Sequence, residues 1–203
     1  MISLHLACSI ASHAQTRFTI LAPDSGELAC GVVGDGRLPD PHEIIGGIRA
    51  ALTPTDLVGV HVTVSAGPTV EDLDPVRFLS NRSTGTMGFE LARALAERGA
   101  EVTLITGPVH LNTPPGVRRM DVRSADDMAC AMAQTWTTTD AVIMSAAVAD
   151  YRPAVLANTK LKKSPGEMTL NLERTEDILA TLGGRQDRDG KLLVGFAAET
   201  EQV

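Results

Sequence analysis

Hydrophobic and polar positions along the chain fall into a repeating cycle: a short aliphatic run, a break marked by glycine or proline, then apolar residues at helical spacing. The β-branched run His61–Ser65, with Val62 and Val64 alternating against small residues, predicts a strand that breaks at Ala66-Gly67-Pro68-Thr69. A polar loop follows, carrying Arg77, Asn81, Ser83 and Gly85. From Met87 a helix is predicted, with Met87, Leu91, Ala94 and Leu95 on one face, Glu90, Arg93, Glu97 and Arg98 outward, and Gly99 as its stop. Val102–Ile105 predicts the next strand, which ends at Thr106-Gly107-Pro108, a second glycine-proline turn much like the first. A loop with Pro114 and Pro115 leads to a strand at Val117–Val122, and Ser124 caps a helix that ends near Trp136, a core or interface residue. Ala141–Met144 is apolar on both faces, as central parallel strands are. A hairpin arm at Met168–Leu172, a helix over Thr175–Leu182 and a strand at Lys191–Gly195 follow.

Upstream, Arg17–Pro23 reads as a short strand leading into a glycine-rich segment that holds Cys30. Asp40-Pro41-His42-Glu43 starts a helix, with a cap, Pro at the first helical position and Glu two residues on, running to about Leu52 and burying Ile44, Ile45 and Ile48. Thr53-Pro54-Thr55-Asp56 breaks it, which places a linker at 53–60 between segments 1–52 and 61–203. Strand–helix alternation predicts an α/β fold: a Rossmann-like wound parallel sheet with helices on both faces. The loops at 66–85, 106–116, 145–152 and 195–200 all follow strands and converge on the carboxyl edge, where such sheets bind ligands.

His61–Gly88 therefore reads as strand, glycine turn, loop of donors and helix N-terminus. Freed backbone N–H groups and the helix dipole both favour phosphate there. The loop is too long for a Walker A motif and has no G-K-[ST], and it does not contain G-x-G-x-x-G. Each residue alone could be a surface turn former; Arg, Asn, Ser and Gly together between strand and helix favour phosphate.

Composition narrows the field. A net charge of −7 argues against a surface that coats nucleic acid, and aromatics at 3% argue against base-stacking platforms. An anionic ligand must then be held by locally placed cations and backbone donors. No apolar run is long enough for a membrane span, the start lacks the basic region of a signal peptide, and the cytosol is the default location. Cys8, Cys30 and Cys130 have no C-x-x-C spacing, so neither a zinc site nor a disulfide framework is predicted. Lys160-Leu161-Lys162-Lys163 is the one dense basic cluster, either a solvated charge run or a flap that brings positive charge to phosphates. Asp150, at a strand end, could hold a metal or a ligand hydroxyl, or cap a turn. Cys30 could be a reactive thiol or inert, and Cys130 reads as core. His13, His42, His61 and His110 share no ligand spacing, and no Ser-His-Asp pattern is present.

Several longer motifs carry a family resemblance: Ala66-Gly67-Pro68-Thr69; Asp74-Pro75-Val76-Arg77 with Ser80-Asn81-Arg82-Ser83-Thr84-Gly85-Thr86-Met87-Gly88; Ala146-Ala147-Val148-Ala149-Asp150-Tyr151; Lys160-Leu161-Lys162-Lys163; and Gly195-Phe196-Ala197-Ala198-Glu199-Thr200. In that order they resemble the synthetase half of the bifunctional coenzyme A biosynthesis flavoproteins, phosphopantothenoylcysteine decarboxylase/phosphopantothenate–cysteine ligase. Ser25–Gly31 and Gly34-Asp35-Gly36-Arg37 resemble the tail of the decarboxylase half. The resemblance implies that the carboxylate of 4′-phosphopantothenate attacks the α-phosphorus of CTP, with Mg²⁺ present, releasing pyrophosphate. Cysteine then displaces CMP from the acyl-cytidylate to form the amide.

By position, Asn81 resembles the residue that acts on the acyl-cytidylate and Lys160 the flap lysine, with Arg77 a further active-site residue. Gly67, Ser83, Gly85, Ala146, Ala147, Asp150, Lys163 and Phe196 match nucleotide- and substrate-contacting positions, and no metal ligand is assigned. Cys30 matches the decarboxylase thiol without its partners, so FMN belongs to a longer chain that includes the flavin domain. The family's Ser-Ser-Gly reads Ser83-Thr84-Gly85, and its Asn-Pro-Asp-Ile reads Arg174-Thr175-Glu176-Asp177-Ile178, where Thr175 is expected to cap the helix in place of the proline. The resemblance implies a homodimer through the ligase domain, and a chain truncated at its C-terminus and lacking the domain upstream. Two other readings stand beside it: a non-catalytic piece that binds nucleotide or pairs with full-length subunits, and a nicotinamide-dependent oxidoreductase. The last needs a glycine fingerprint and a ribose-binding acid after the second strand, where Gly107-Pro108 stands instead.

Overall fold

The computed structural model describes residues 20–28, 31–163, 165–188 and 190–198, residue 42 through its backbone alone. Contacts divide the chain into two compact units at Pro54/Thr55.

In the first unit, β1 (Asp24–Glu27) pairs antiparallel with β2 (Val33–Arg37), and α1 spans Pro41–Leu52. The strand expected from Arg17 falls partly outside the described residues, and residues 20–23 are irregular, so the strand begins at Asp24. Helix α1 has the expected bounds but not the expected burial: Ile45 and Ile48 are 49% and 52% exposed, and Ile44 is half-buried. A two-stranded ribbon offers a helix too little surface to cover its apolar face.

The second unit is built on five parallel strands in the order β11-β8-β3-β6-β7: β3 (His61–Ala66), β6 (Glu101–Thr106), β7 (Val117–Asp121), β8 (Ala141–Met144) and β11 (Leu192–Gly195). The strand period of two sorts their side chains into two layers. Val62, Val64 and Ala66 of β3 join Val102 and Leu104 of β6 against Phe89 and Ala92 of α2 (Thr86–Glu97). On the other face Ile105, Val142 and Met144 meet Met128, Ala131 and Met132 of α3 (Ala125–Thr135), Trp136, and Ile178 and Leu182 of α4 (Ile178–Gly183). This is the Rossmann-like, helix-flanked parallel sheet that the strand–helix alternation predicts.

Local corrections follow from packing. Helix α2 turns Gly88, Phe89 and Ala92 to the sheet and leaves Met87 48% exposed and Ala94 outward, while Leu91 and Leu95 flank the core. The glycine decides this roll, because a Cβ on Gly88 would stand 2.5 Å from the Ala66 Cβ. On α3 the buried stripe is Ala125, Met128, Ala131, Met132 and Thr135, so Cys130 lies off it and is exposed rather than core. Ser124 caps α3 as expected, in a reciprocal box with Asp127. Two hairpins stand where loops or a different strand were expected. One is β4 (Val70–Asp72) with β5 (Phe78–Ser80); the other is β9 (Tyr151–Pro153) with β10 (Leu172–Arg174). Asp177, not Thr175, caps α4, its carboxylate accepting from the Ala180 N–H. Among the described residues no helix is long and apolar enough to cross a membrane.

A Cβ on Gly107 would sit 1.7 Å from the Pro68 carbonyl oxygen, a main-chain atom that cannot rotate away. Gly107→Ala is expected to destabilise the protein by about 3 kcal/mol, the upper range for overpacking. Ser124→Ala, which removes one cap, should cost about 1 kcal/mol. Urea unfolding of both variants checks the ranking.

Candidate functional site

Where β3 ends, Gly67 takes φ 71° and turns the chain across the sheet edge. Pro68 then forms a parallel bridge with Ala147, past the end of β8; the Ala147 N–H donates to Gly67 O at 2.9 Å and the Thr69 N–H to Ala147 O at 3.2 Å. The buried Thr69 hydroxyl accepts from the Ala149 N–H at 2.9 Å, and the Ser65 hydroxyl accepts from the Ala146 N–H at 3.2 Å. Gly85, at φ 78°, caps α2 without a side chain and packs against Gly67: its Cβ would meet Gly67 Cα and N at 3.3 Å. Three loops are thereby locked together by backbone contact. Phe196 continues from β11 with its N–H on Met144 O at 3.1 Å and its ring 52% exposed. Strands lie about 4.8 Å apart, so the turns after β11, β8 and β3 fall within about 10 Å along one rim.

Asn81 joins this rim directly. Its Nδ2 donates to the Ala147 and Val148 carbonyls at 3.1 and 3.2 Å, which leaves Oδ1 without a protein partner. Ser80 ahead of it donates its hydroxyl to Thr69 O at 2.8 Å, so the base of the β4–β5 hairpin is fastened to the same turn. Ser83 is half-buried, and its hydroxyl accepts from the Gly85 N–H at 3.3 Å. Asp150 is exposed, and its carbonyl accepts from the Thr175 N–H. Thr175, expected as a helix cap, instead donates its hydroxyl to Ala149 O.

At the hairpin tip sits a residue not singled out from the sequence by itself. Asp74 is 2% exposed. Its Oδ1 accepts from the Val76 and Arg77 N–H groups at 2.8 and 2.9 Å. Its Oδ2 accepts from Arg77 Nε and Nη2 at 3.0 and 2.7 Å and from the Leu161 N–H at 3.1 Å. Burial pushes its carboxyl pKa up, but the Arg77 guanidinium and the three backbone N–H groups outweigh burial and hold it well below the usual carboxylate range. The signal was available: an Asp before a turn proline invites bonding to the N–H groups two and three residues on.

Arg77 is bonded to Asp74 and to Leu161 O at 2.8 Å, and its side chain stays 39% exposed. Through Leu161 the lysine run is attached to the hairpin whose base carries Asn81. Arg77 and Asn81 are four residues apart, at most ~14 Å along extended chain. Lys160 and Lys163 are exposed, and neither touches Asn81 or the glycine turns. Cys30 lies outside the described residues.

The charges of this unit are unevenly paired. Arg93, Arg98, Arg119, Arg123, Arg152 and Arg185 are all held by carboxylates. Among the described residues, Arg82, Lys160, Lys162 and Lys163 are the cations of the unit with no hydrogen bond, ion pair or ring contact. No group of three or more His, Cys, Asp or Glu among the described residues could hold a metal by itself. A cleft of about 400 Å³ lies elsewhere, at the amino ends of β3, β6 and β7, lined by His61, Thr63, Glu101, Thr103, Arg118 and Thr139. It is the wrong end of a parallel sheet for ligand binding.

Because the folded state holds Asp74 below its unfolded value, the carboxylate contributes stability that is present above about pH 3.9 and lost as pH falls below it. Asp74→Asn should therefore lower the thermal midpoint at neutral pH, and the gap to the parent chain should close on acidification. Midpoints measured from neutral pH to about pH 3 test the sign.

Comparison with known proteins agrees with this architecture. Residues 57–203 match the family described as the DNA/pantothenate metabolism flavoprotein C-terminal domain. The chain is 47% identical over 183 residues to the coenzyme A biosynthesis bifunctional protein CoaBC of Vibrio cholerae, covering 89% of this chain and 46% of that protein. It is 46% identical over 193 residues to the protein of the same name from Bacillus subtilis, covering 93% and 47%. The crystal structure of the C-terminal domain of coenzyme A biosynthesis bifunctional protein CoaBC superposes with a TM-score of 0.61 at 46% identity, over 71% of this chain and 67% of that one. The chain thus spans about half the length of the curated relatives it matches. Through residues 57–203, it belongs to the family of DNA/pantothenate metabolism flavoprotein C-terminal domains.

Proposed function

We propose that residues 57–203 carry a CTP-dependent phosphopantothenate–cysteine ligase in coenzyme A biosynthesis. One observation carries the reading: in a chain of net charge −7, the described cations of this unit with no hydrogen bond, ion pair or ring contact are Arg82, in the loop ahead of the α2 N-terminus, and the lysines around the anchored Leu161. A triphosphate needs that distribution, since fixed donors stabilise charge where it develops on phosphoryl oxygens. The similarity to bifunctional coenzyme A biosynthesis proteins supports the same reading.

In this scheme the pantothenate carboxylate attacks the α-phosphorus of CTP, the α–β phosphoanhydride bond breaks and pyrophosphate leaves. The cysteine amine then attacks the acyl-cytidylate carbonyl, CMP leaves, and the amine loses its proton to form the amide. The α2 N-terminus would receive phosphate oxygens, and Asn81 Oδ1, the acceptor left without a partner, would face the acyl-cytidylate. Lys160 and Lys163 would bring their charge to the triphosphate. Mg²⁺ would be held chiefly by the phosphates, and the exposed Asp150 carboxylate is a protein oxygen that could join its coordination.

Residues 1–52 are read as the tail of a decarboxylase half, with Cys30 its thiol and FMN bound only in a longer chain. Val76, Phe78, Tyr151 and Leu172, on the two hairpins and 45–59% exposed, support self-association as a homodimer. A second reading, nucleotide binding without turnover, is favoured if calorimetry detects CTP while no product forms.

Pyrophosphate release should require both CTP and 4′-phosphopantothenate. Asn81→Ala and Lys160→Gln should each lower turnover about 100-fold, the scale of losing one preorganised charge-stabilising group. Release that is independent of 4′-phosphopantothenate, or absent from folded protein, rejects ligation.

A further inference from the structure

The Asp74 carboxylate does more than close its own turn. It spans two segments 87 residues apart in sequence and grips the second by its main chain. Leu161 is held at both of its backbone groups: its N–H donates to Asp74 Oδ2 and its carbonyl accepts from Arg77 Nη2 at 2.8 Å. The hold is reinforced upstream, where the Ala157 N–H donates to Leu73 O at 3.1 Å. Leu161 is the one apolar residue of the lysine run, and Lys160 and Lys162 flank it without partners of their own. A run of lysines with no such anchor would sweep a wide volume, and each would have to lose that freedom on meeting an anion.

We propose that Asp74, acting through Arg77, is a latch that fixes the lysine run to the β4–β5 hairpin and so sets where its charges stand relative to Asn81. Asp74 and Arg77 are positioning residues in this scheme; the groups that meet the ligand are the lysines. The assignment rests on the ligation reading for its functional consequence, while the latch itself is independent of any ligand. It accounts for two facts together: a buried carboxylate satisfied by five donors, and an arginine bonded both to that carboxylate and to the Leu161 carbonyl.

The test uses the full chain, the single variants Asp74→Asn, Leu161→Pro and Lys160→Gln, and the Asp74→Asn/Lys160→Gln double. Asp74→Asn replaces an acceptor with a donor facing Arg77 and Leu161; Leu161→Pro removes the gripped N–H and leaves the Asp74 turn intact. Hydrogen exchange across residues 157–163, followed by mass spectrometry, should quicken at least about tenfold in Asp74→Asn, with exchange in β3 and β6 unchanged. In Leu161→Pro the remaining amides of that peptide should quicken likewise. In the ligation assay each variant should lower kcat/KM for CTP about tenfold or more, and Lys160→Gln should cost much less in the Asp74→Asn background than alone, because both act on one group.

Unchanged exchange in both variants overturns the latch. So does full additivity of Asp74→Asn with Lys160→Gln, which would make Asp74 a merely structural residue. Should Asp74→Asn prove unfolded, Leu161→Pro decides by the same readouts. A parent chain without turnover rejects the ligation reading, and the exchange contrast then decides the latch alone.

Discussion

Main chain packed on main chain at the carboxyl rim of the sheet is the constraint on which the rest depends. Gly67, Gly85 and Gly107 come from three separate turns, and each occupies a position where a Cβ would press on a neighbouring backbone. Gly107 admits the Pro68 carbonyl, and Gly85 rests on the Gly67 peptide. Because no side chain intervenes, the turn after β3 can also reach the segment after β8 and bridge to it at Ala147. Chain that would otherwise be irregular loop is thereby ordered without a ligand. A rim built this way holds the N-terminus of α2 and the Asn81 side chain at fixed positions, and fixed dipoles need no reorganisation when a charged group arrives.

Electrostatics then act on that frame at two depths. At the hairpin tip a carboxylate is buried yet stays ionised, because five donors replace its lost water. On the surface, most arginines of the second unit are neutralised by near carboxylates, and among the described residues its cations with no hydrogen bond, ion pair or ring contact are Arg82, Lys160, Lys162 and Lys163. A protein of net negative charge repels anions at long range, so an anion site has to be made by local exceptions of this kind. The two depths meet at Leu161, a backbone clamp next to free charges.

The first unit poses a different physical problem. Its hairpin and helix leave Val33, Leu38, Ile45, Ile48 and Leu52 substantially exposed, more apolar surface than such a small unit would keep uncovered in isolation.

By itself the sequence determined the sheet strands, the helices and the identity of the rim motifs, because those features are written in local periods and in glycine placement. The run of two in His61–Ala66, the Ser124–Asp127 box and the helix bounds at Pro41–Leu52 needed no neighbours to be recognised. Gly67, Asn81, Gly85 and the 145–152 loop were legible as candidates for one site because strand-end loops of a parallel sheet must share an edge, while Ala147 itself was marked by the family resemblance. Only the tertiary structure decided which way each helix rolled, that residues 70–80 form a hairpin, and that Arg77 bonds Asp74 and the Leu161 carbonyl. Each of these depends on contacts between residues far apart in the chain: Gly88 on Ala66 and Ser145, Ser80 on Thr69, and above all Asp74 on Leu161. A buried carboxylate takes its meaning from the donors around it, and a linear pattern does not say which distant backbone will supply them.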